Sequence, residues 1–297
     1  MDKSMTASEK RIRFICTAAL IVLGLFCMVP LLWVLLNSFK TNVEFQLSYA
    51  NIDGRMSYLR AVMPARINFE NYIQLFTGVG LPNASHIDTM IINSLIVSVS
   101  QTVIVLVITS LSTFAYERLN FPAGSTIFWT LFFLSLIPNT ISILPLFKIC
   151  HALGWVNNIS ALIWPQVTGV MNIFLLKNFM KSIPKEMDEA ATIDGAGSFQ
   201  IYRLLILPSM QPVLMVVALF AFRHAWNDYL WPTIVMNNPK NQTLTSGLAL
   251  LAGQYEVGQW THLLASTVIS MIPPLILYFT SQRYFLQGIS VQASVKG

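Results

Sequence analysis

Three ionisable residues stand inside one apolar run: Arg223, His224 and Asp228. A charge within such a run is costly, so it faces a cavity or a partner. Arg223 and Asn227 are four residues apart, as are His224 and Asp228, so each pair can meet on a helix surface. Two outcomes are open. The helix neutralises its own polar groups, or the face lines a path for a polar solute. Trp226, Tyr229 and Trp231 could stack on a sugar ring, but tryptophan and tyrosine also populate membrane interfaces. His224-x-x-x-Asp228 also has the spacing of some acyltransferase pairs, in which histidine is the general base. No thioester- or lipid-binding motif accompanies it. His86, His151 and His262 are scattered over what read as external loops. Cys16, Cys27 and Cys150 lack CxxC or metal spacing. The sequence therefore suggests neither an enzyme nor a metal centre, and no cofactor of its own.

The second polar constellation is Glu189-Ala190-Ala191-Thr192-Ile193-Asp194-Gly195, followed by Leu205-Ile206-Leu207-Pro208. It is an island between two long apolar runs. Lys177, Lys181 and Lys185 precede it and Arg203 lies within it. Basic residues beside membrane spans mark the cytoplasmic side. Ala190 and Ala191 form a nearly side-chain-free face against which a partner can pack, and Glu189 beside it can meet a basic residue. A plain connection needs far fewer than the roughly 30 residues here, since typical loops run about 4–6.

The elements that must position these groups are membrane helices. The chain has 297 residues, of which 55% are hydrophobic and only 10% charged. A soluble domain carries about a quarter charged residues. The net charge of +5 comes from residues scattered at span ends, with no basic stripe interleaved with aromatics, so nucleic acid is excluded as a partner. Six apolar runs can cross a bilayer of about 30 Å, which takes roughly 20 helical residues. They lie near 14–36, 91–115, 127–147, 158–176, 209–231 and 263–282. The first follows Lys10, Arg11 and Arg13, is too long for a signal-peptide core, and reads as an uncleaved span. Both termini are then cytoplasmic, with Arg283 and Lys296 inside. Glu117-Arg118 falls in a short inner loop, while Arg55, Arg60 and Arg66 fall in a long outer one. Pro138, Pro145 and Pro273-Pro274 predict kinks, read as bundle packing, with a gating hinge as the alternative.

Within the island, Pro184 suits the first turn of a helix over 185–194, with Ser182 close enough to cap it. Glu186, Asp188 and Glu189 complement its dipole. Gly195 and Gly197 are placed to end it. Ser198 is placed to cap a second helix running to about Ile206. The expected result is a compact helical hairpin over 184–208, within one all-α, six-span domain covering 1–297.

Glu189-Ala190-Ala191, then Gly195 after three intervening residues, and Leu205-x-Leu207-Pro208 after nine more, resemble the EAA motif of ABC importer permeases. Leu205 replaces the family's usual isoleucine. Asp194-Gly195-Ala196 resembles the branch that imports oligosaccharides. Ser38-Phe39-Lys40, Asn93-Ser94, Ala115-Tyr116-Glu117-Arg118-Leu119, Phe121, Trp226-Asn227-Asp228-Tyr229 and Val295-Lys296-Gly297 extend the likeness, the last of them to the maltose-permease (MalG-like) subunits. The resemblance implies half of a pore in a bacterial inner membrane, completed by a second related permease. It implies two ATPase subunits that carry ATP and Mg, and a solute-binding protein that delivers an oligosaccharide. Glu189, Ala190, Ala191, Asp194, Gly195, Leu205, Leu207 and Pro208 would couple to the ATPases. Arg223, His224, Trp226, Asn227 and Asp228 would line the substrate path. The tail near 289–297 would reach between the ATPases, and the loop near 237–262 would reach the binding protein. The chain has no GxxxxGK[ST] phosphate loop of its own.

The alternative is an ion-coupled secondary transporter. It would have no use for the hairpin, and the chain shows no inverted repeat. In the resembled family the positions before Trp-Asn are more often apolar than charged. Arg223 offers a planar fork that suits a carboxylate, so an acidic oligosaccharide of uronate or alginate type is expected. Asp228 is the competing partner for that charge.

Overall fold

The computed structural model describes residues 7–50, 61–78, 87–119, 121–167, 169–254 and 260–294. Arg55, Arg60, His86 and the Val295-Lys296-Gly297 tail lie outside the described residues. All regular structure among the described residues is helical. The chain divides into two compact units, Met1–Ala84 with Leu251–Ile269, and Ser85–Leu250 with Ser270–Gly297.

The first unit holds α1 (Ala7–Asn37), α2 (Asn42–Ala50), α3 (Glu70–Thr77) and the opening turns of α15 (Trp260–Ser294). The apolar stretch of α1 buries nothing within the chain, as expected of a helix that meets lipid or another subunit. The Ser38-Phe39-Lys40 turn that follows is held from α3, where the Asn71 amide donates to the Ser38 and Lys40 carbonyls at 2.8 Å each. Lys40 is buried and its Nζ donates to the Ala61 carbonyl at 2.6 Å. Burial lowers its pKa, against the opposing pull of Glu44. Thr261 and His262 close the cluster onto Asn71 and Gln74.

The second unit is built on α4 (Ile87–Arg118). Ser94, Ser98, Gln101, Val105, Thr109 and Thr113 recur every three or four residues and are buried, whereas Ile92, Ile96, Val99, Val103 and Val107 are exposed. Small and polar residues inside with apolar residues outside is the pattern of a helix whose solvent is lipid. The buried face packs on α8 (Val170–Met180) and α12 (Gln211–Asn227). Between α4 and α12 the chain forms α5 (Gly124–Leu134), α6 (Asn139–Ala152), α7 (Ser160–Ile163), α8, α9 (Glu186–Ile193), α10 (Ser198–Ile201), a π-helical segment (Tyr202–Ile206) and α11 (Leu207–Ser209). After α12 come α13 (Leu230–Val235), α14 (Leu244–Gln254) and α15.

All six expected runs fall on helix, but only Lys10–Asn37, Ile87–Arg118 and Trp260–Gln282 are long, unbroken and apolar. The other three differ from expectation. The run near 127–147 breaks between α5 and α6 with a 100° bend, because Pro138 disfavours helix at the residue before it. The run near 158–176 is interrupted by a 3₁₀ turn over Trp164–Gln166 and by Gly169, whose φ of −118° and ψ of 78° are not helical. The run near 209–231 bends by 78° ahead of α12 and ends at Asn227, because Asp228 is extended.

Candidate functional site

Glu189 to Gly195 occupy α9 and its C-terminus. The chain leaves this helix through a complete Schellman motif: Ala196 N–H donates to the Ala191 carbonyl at 2.9 Å and Gly195 N–H to Thr192 at 3.0 Å. Gly195 supplies the positive φ, +88°, that the motif requires. The spacing from Ala191 to Gly195 is therefore the spacing of a helix cap. Ala191 and Ala196 turn toward the core formed by Leu176, Met180, Ile201, Tyr202 and Ile206. Glu189, Ala190, Asp194 and Gly195 face outward. Ile193 is 87% exposed and Phe199 66% exposed, so the outer face is apolar around them. Among the described residues Glu189 has no ion-pair partner within the chain.

The expected serine caps do not form. The Ser182 hydroxyl donates back to the Phe179 carbonyl at 2.6 Å, and α9 starts at Glu186 with no side-chain cap. Gly197 is the N-cap of α10, and Gln200 reaches back to accept from its N–H at 2.9 Å. Ser198 already lies inside the helix. Leu205 and Leu207 pack against the chain's own core, while Pro208 is exposed.

Glu117 and Arg118 are not a free loop. They form the last turn of α4 and reach across to other elements. Arg118 Nε lies 2.6 Å from Asp188 Oδ2, and its Nη2 donates to the Ile183 carbonyl at 2.9 Å. Glu117 pairs with Lys177 at 3.1 Å, and the Lys177 ammonium sits 4.1 Å from the Phe128 ring centroid. Sequence reasoning missed these partners because it placed both charges in solvent. The acidic first turn of α9 was the available signal, since Asp188 needs a cation once it turns inward.

The second constellation divides by helix face. Arg223 and His224 line a cleft of about 250 Å³ with Gln101, Asn139, Gln166, Gly169 and Asn172. An adjoining cavity of about 370 Å³ shares Asn139, Gln166 and His224 and adds Ser142 and Asp228. Asn227 is exposed at the helix end and lines neither cavity. Trp226 is a correction. It is 1% exposed, stacks on Phe222, and donates its indole N–H to the Ser270 carbonyl at 3.0 Å. It is a packing residue and lines neither cavity. Trp231 is buried too, its indole N–H on the Ala161 carbonyl at 2.8 Å, but it also lines the adjoining cavity.

Of the two outcomes left open by the sequence, closure of these charges into ion pairs is not seen, although His224 acts electrostatically on Asp228. Among the described residues neither Arg223 nor His224 forms an ion pair with an acid. Asp228 turns to the start of α13, where its Oδ1 accepts from Trp231 N–H at 3.4 Å. Asn139, Gln166 and Asn172 went unnoticed in the sequence because helix breaks, not hydropathy, bring them to the cleft.

His151 and His262 lie on helices, and no group of three candidate metal ligands occurs among the described residues. In the stretch near 237–262, residues 237–240 are exposed and the residues that follow pack back onto the chain. Gln242, Thr243, Leu244 and Ser246 are buried, Leu244 N–H donates to Ser94 Oγ at 2.7 Å, and the Thr245 hydroxyl donates to the Trp226 carbonyl at 2.6 Å. Residues 255–259 lie outside the described residues.

Comparison with known proteins gives this geometry its context. Residues 108–291 match the family described as binding-protein-dependent transport system inner membrane component. The chain belongs to that family. It is 30% identical over 96% of its length to the arabinooligosaccharides transport system permease protein AraQ of Halalkalibacterium halodurans, of which it covers 96%. It is 29% identical to the trehalose/maltose transport system permease protein MalG of Thermococcus litoralis, again over 96% of each chain. Its fold resembles a chain of a bacterial ABC transporter involved in the import of the acidic polysaccharide alginate, with a TM-score of 0.75 and 21% identity, covering 95% of this chain and 99% of that one. The protein is thus a multi-pass membrane permease of a carbohydrate ABC importer. It is not itself an enzyme, because ATP hydrolysis in such importers belongs to separate ATPase subunits. The ion-coupled alternative falls with this assignment.

Proposed function

We propose that this chain forms half of the pore of an ATP-driven importer whose cargo is an acidic oligosaccharide of uronate or alginate type. The pore half has six spans, three of them broken, and both termini lie on the cytoplasmic face of a bacterial inner membrane. A second related permease completes the pore, and an extracytoplasmic solute-binding protein delivers the cargo. Two ATPases dock on the outer face of α9 and α10, where Glu189, Ala190, Ile193 and Phe199 are exposed. Closure of the ATPases moves this hairpin and opens the path outward.

The observation that carries the cargo reading is the Arg223 guanidinium, which lines a polar cleft and, among the described residues, forms no ion pair with a carboxylate. A guanidinium presents a planar fork that a carboxylate fills bidentately. The amides of Gln101, Asn139, Gln166 and Asn172 supply the hydrogen bonds that sugar hydroxyls use. The N-terminus of α6 opens on the same cleft at Asn139, and the N-terminal ends of broken helices favour anionic substrate groups. The test compares Arg223→Ala with Arg223→Lys in reconstituted uptake of acidic and neutral oligosaccharides of equal length. Loss of one charge-assisted contact, worth about 1.5–3 kcal/mol, predicts roughly 10- to 100-fold weaker uptake of the acidic cargo in the alanine variant. Lysine should restore part of it. If the unmodified protein carries both cargoes equally and alanine changes nothing, the reading is wrong.

A further inference from the structure

We propose that Arg118 is a positioning residue that locks the α9–α10 hairpin to α4, so that α4 carries the ATPase-driven movement to the cleft. The inference rests on the docking reading of the hairpin. Both limbs of the hairpin are tied to this one helix. The first limb is held at Asp188 and Ile183 by the Arg118 guanidinium. The Arg118 and Asp188 side chains are only 7% and 17% exposed, so the pair is shielded from the screening that weakens surface pairs. The second limb is held at Tyr202, whose hydroxyl lies 2.8 Å from Ser110 Oγ in a buried contact. Ser110 and Arg118 are eight residues apart, about 12 Å along the helix axis.

The covalent routes out of the hairpin make poor struts by comparison. Toward α12 the chain passes through the π-helical segment Tyr202–Ile206 and then a 78° bend. Toward α8 it passes through a non-helical turn over 181–185. A π-helical segment and a sharp bend are places where a helix yields. α4 is continuous from Ile87 to Arg118 and contains no proline. Seventeen residues before Arg118, about 25 Å along the same helix, Gln101 lines the cleft beside Arg223 and donates to the Leu162 carbonyl at 2.7 Å. One stiff element thus has the hairpin clamped at one end and the cleft wall at the other. Arg118 touches no cargo and acts through Asp188.

The experiment uses the full chain co-expressed with its partner subunits and reconstituted in vesicles. Cys16, Cys27 and Cys150 are replaced, and Ser142→Cys, in the cavity beside the cleft, reports opening through its rate of labelling by a membrane-impermeant maleimide with and without ATP. Arg118→Asp and Asp188→Arg should each keep the ATPases bound, yet reduce the ATP-dependent change in labelling by about fivefold or more. The double swap should restore it, which a merely structural loss would not show. A reversed charge at a buried site can block folding, so Tyr202→Phe provides a milder cut of the second tie. With one hydroxyl contact gone, the response should fall about fivefold while the ATPases remain bound. A full response in the single swaps and in Tyr202→Phe overturns the proposal. So does a double swap that assembles but responds no better than the singles. ATPases lost only from the single swaps would also overturn it, by placing the pair within the docking fold. Failure of the unaltered chain to retain ATPases would instead bring down the docking reading.

Discussion

Gly195 gives the most exacting test of the hairpin, because its requirement is conformational alone. Its φ is +88°, and a Cβ added there meets nothing within 4 Å. Any cost of substitution therefore arises from the backbone and not from a clash. Placing an L-residue in the left-handed region costs about 1–2 kcal/mol. Lower chain entropy in the unfolded state returns about 0.4–1 kcal/mol for alanine. The net for Gly195→Ala is about 1 kcal/mol, or roughly fivefold in the population of the intact cap. Valine is β-branched and resists positive φ further, so Gly195→Val should lose more, by tenfold or above. Asparagine tolerates this region, so Gly195→Asn should lie near the unmodified chain although it is larger than alanine. The measurements are the fraction of permease that retains ATPase subunits after purification, and ATP hydrolysis stimulated by the binding protein. The expected order is glycine, asparagine, alanine, valine. An order that follows side-chain volume, with asparagine as damaging as valine, would refute the reasoning and assign the position to a steric contact with the partner. Three variants equal to the unmodified chain would remove the cap from the coupling mechanism altogether.

Two further outcomes follow from the geometry around α12. Trp226→Phe keeps the stack on Phe222 but leaves the Ser270 carbonyl without its indole donor; it should lower thermal stability in detergent by about 1–3 kcal/mol and leave the acidic-to-neutral uptake ratio unchanged. Gly169→Ala would put a Cβ 2.5 Å from the Asn172 amide nitrogen and push that amide off its place in the cleft; uptake should fall several-fold with the ATPases still bound, and the Gly169→Ala, Asn172→Ala double variant should be no worse than Asn172→Ala alone, because the two act on one group.

What the sequence disclosed and what it concealed have one physical origin. Hydropathy registers composition over a window of about 19 residues, so it finds a span and averages away a break of four. The apolar runs near 127–147 and 158–176 were therefore visible, while the breaks that bring Asn139, Gln166 and Asn172 to one cleft were not. Pro138 and Gly169 mark those breaks, but a proline in a membrane run is equally compatible with a kinked, continuous helix. The cap behind Ala191 and Gly195 was legible because its chemistry is local: a positive φ demands glycine at a fixed distance from the helix end. Serine caps are local as well, yet Ser182 gives its hydroxyl to the Phe179 carbonyl within one turn and Ser198 falls one residue inside the helix that Gly197 caps. On α12 the residue types misled where their angular positions would have helped. Val217, Ala221 and Ala225 recur every four residues and are buried, as are Phe222 and Trp226, and of these Ala221 also lines the cleft. Arg223, His224 and Asn227 are exposed. Treating Trp226-Asn227-Asp228 as one motif merged a packing residue with its functional neighbours. The Arg118–Asp188 pair lay beyond sequence reasoning for a different reason. Its partners are seventy residues apart, and no periodicity connects the end of one helix to the first turn of another.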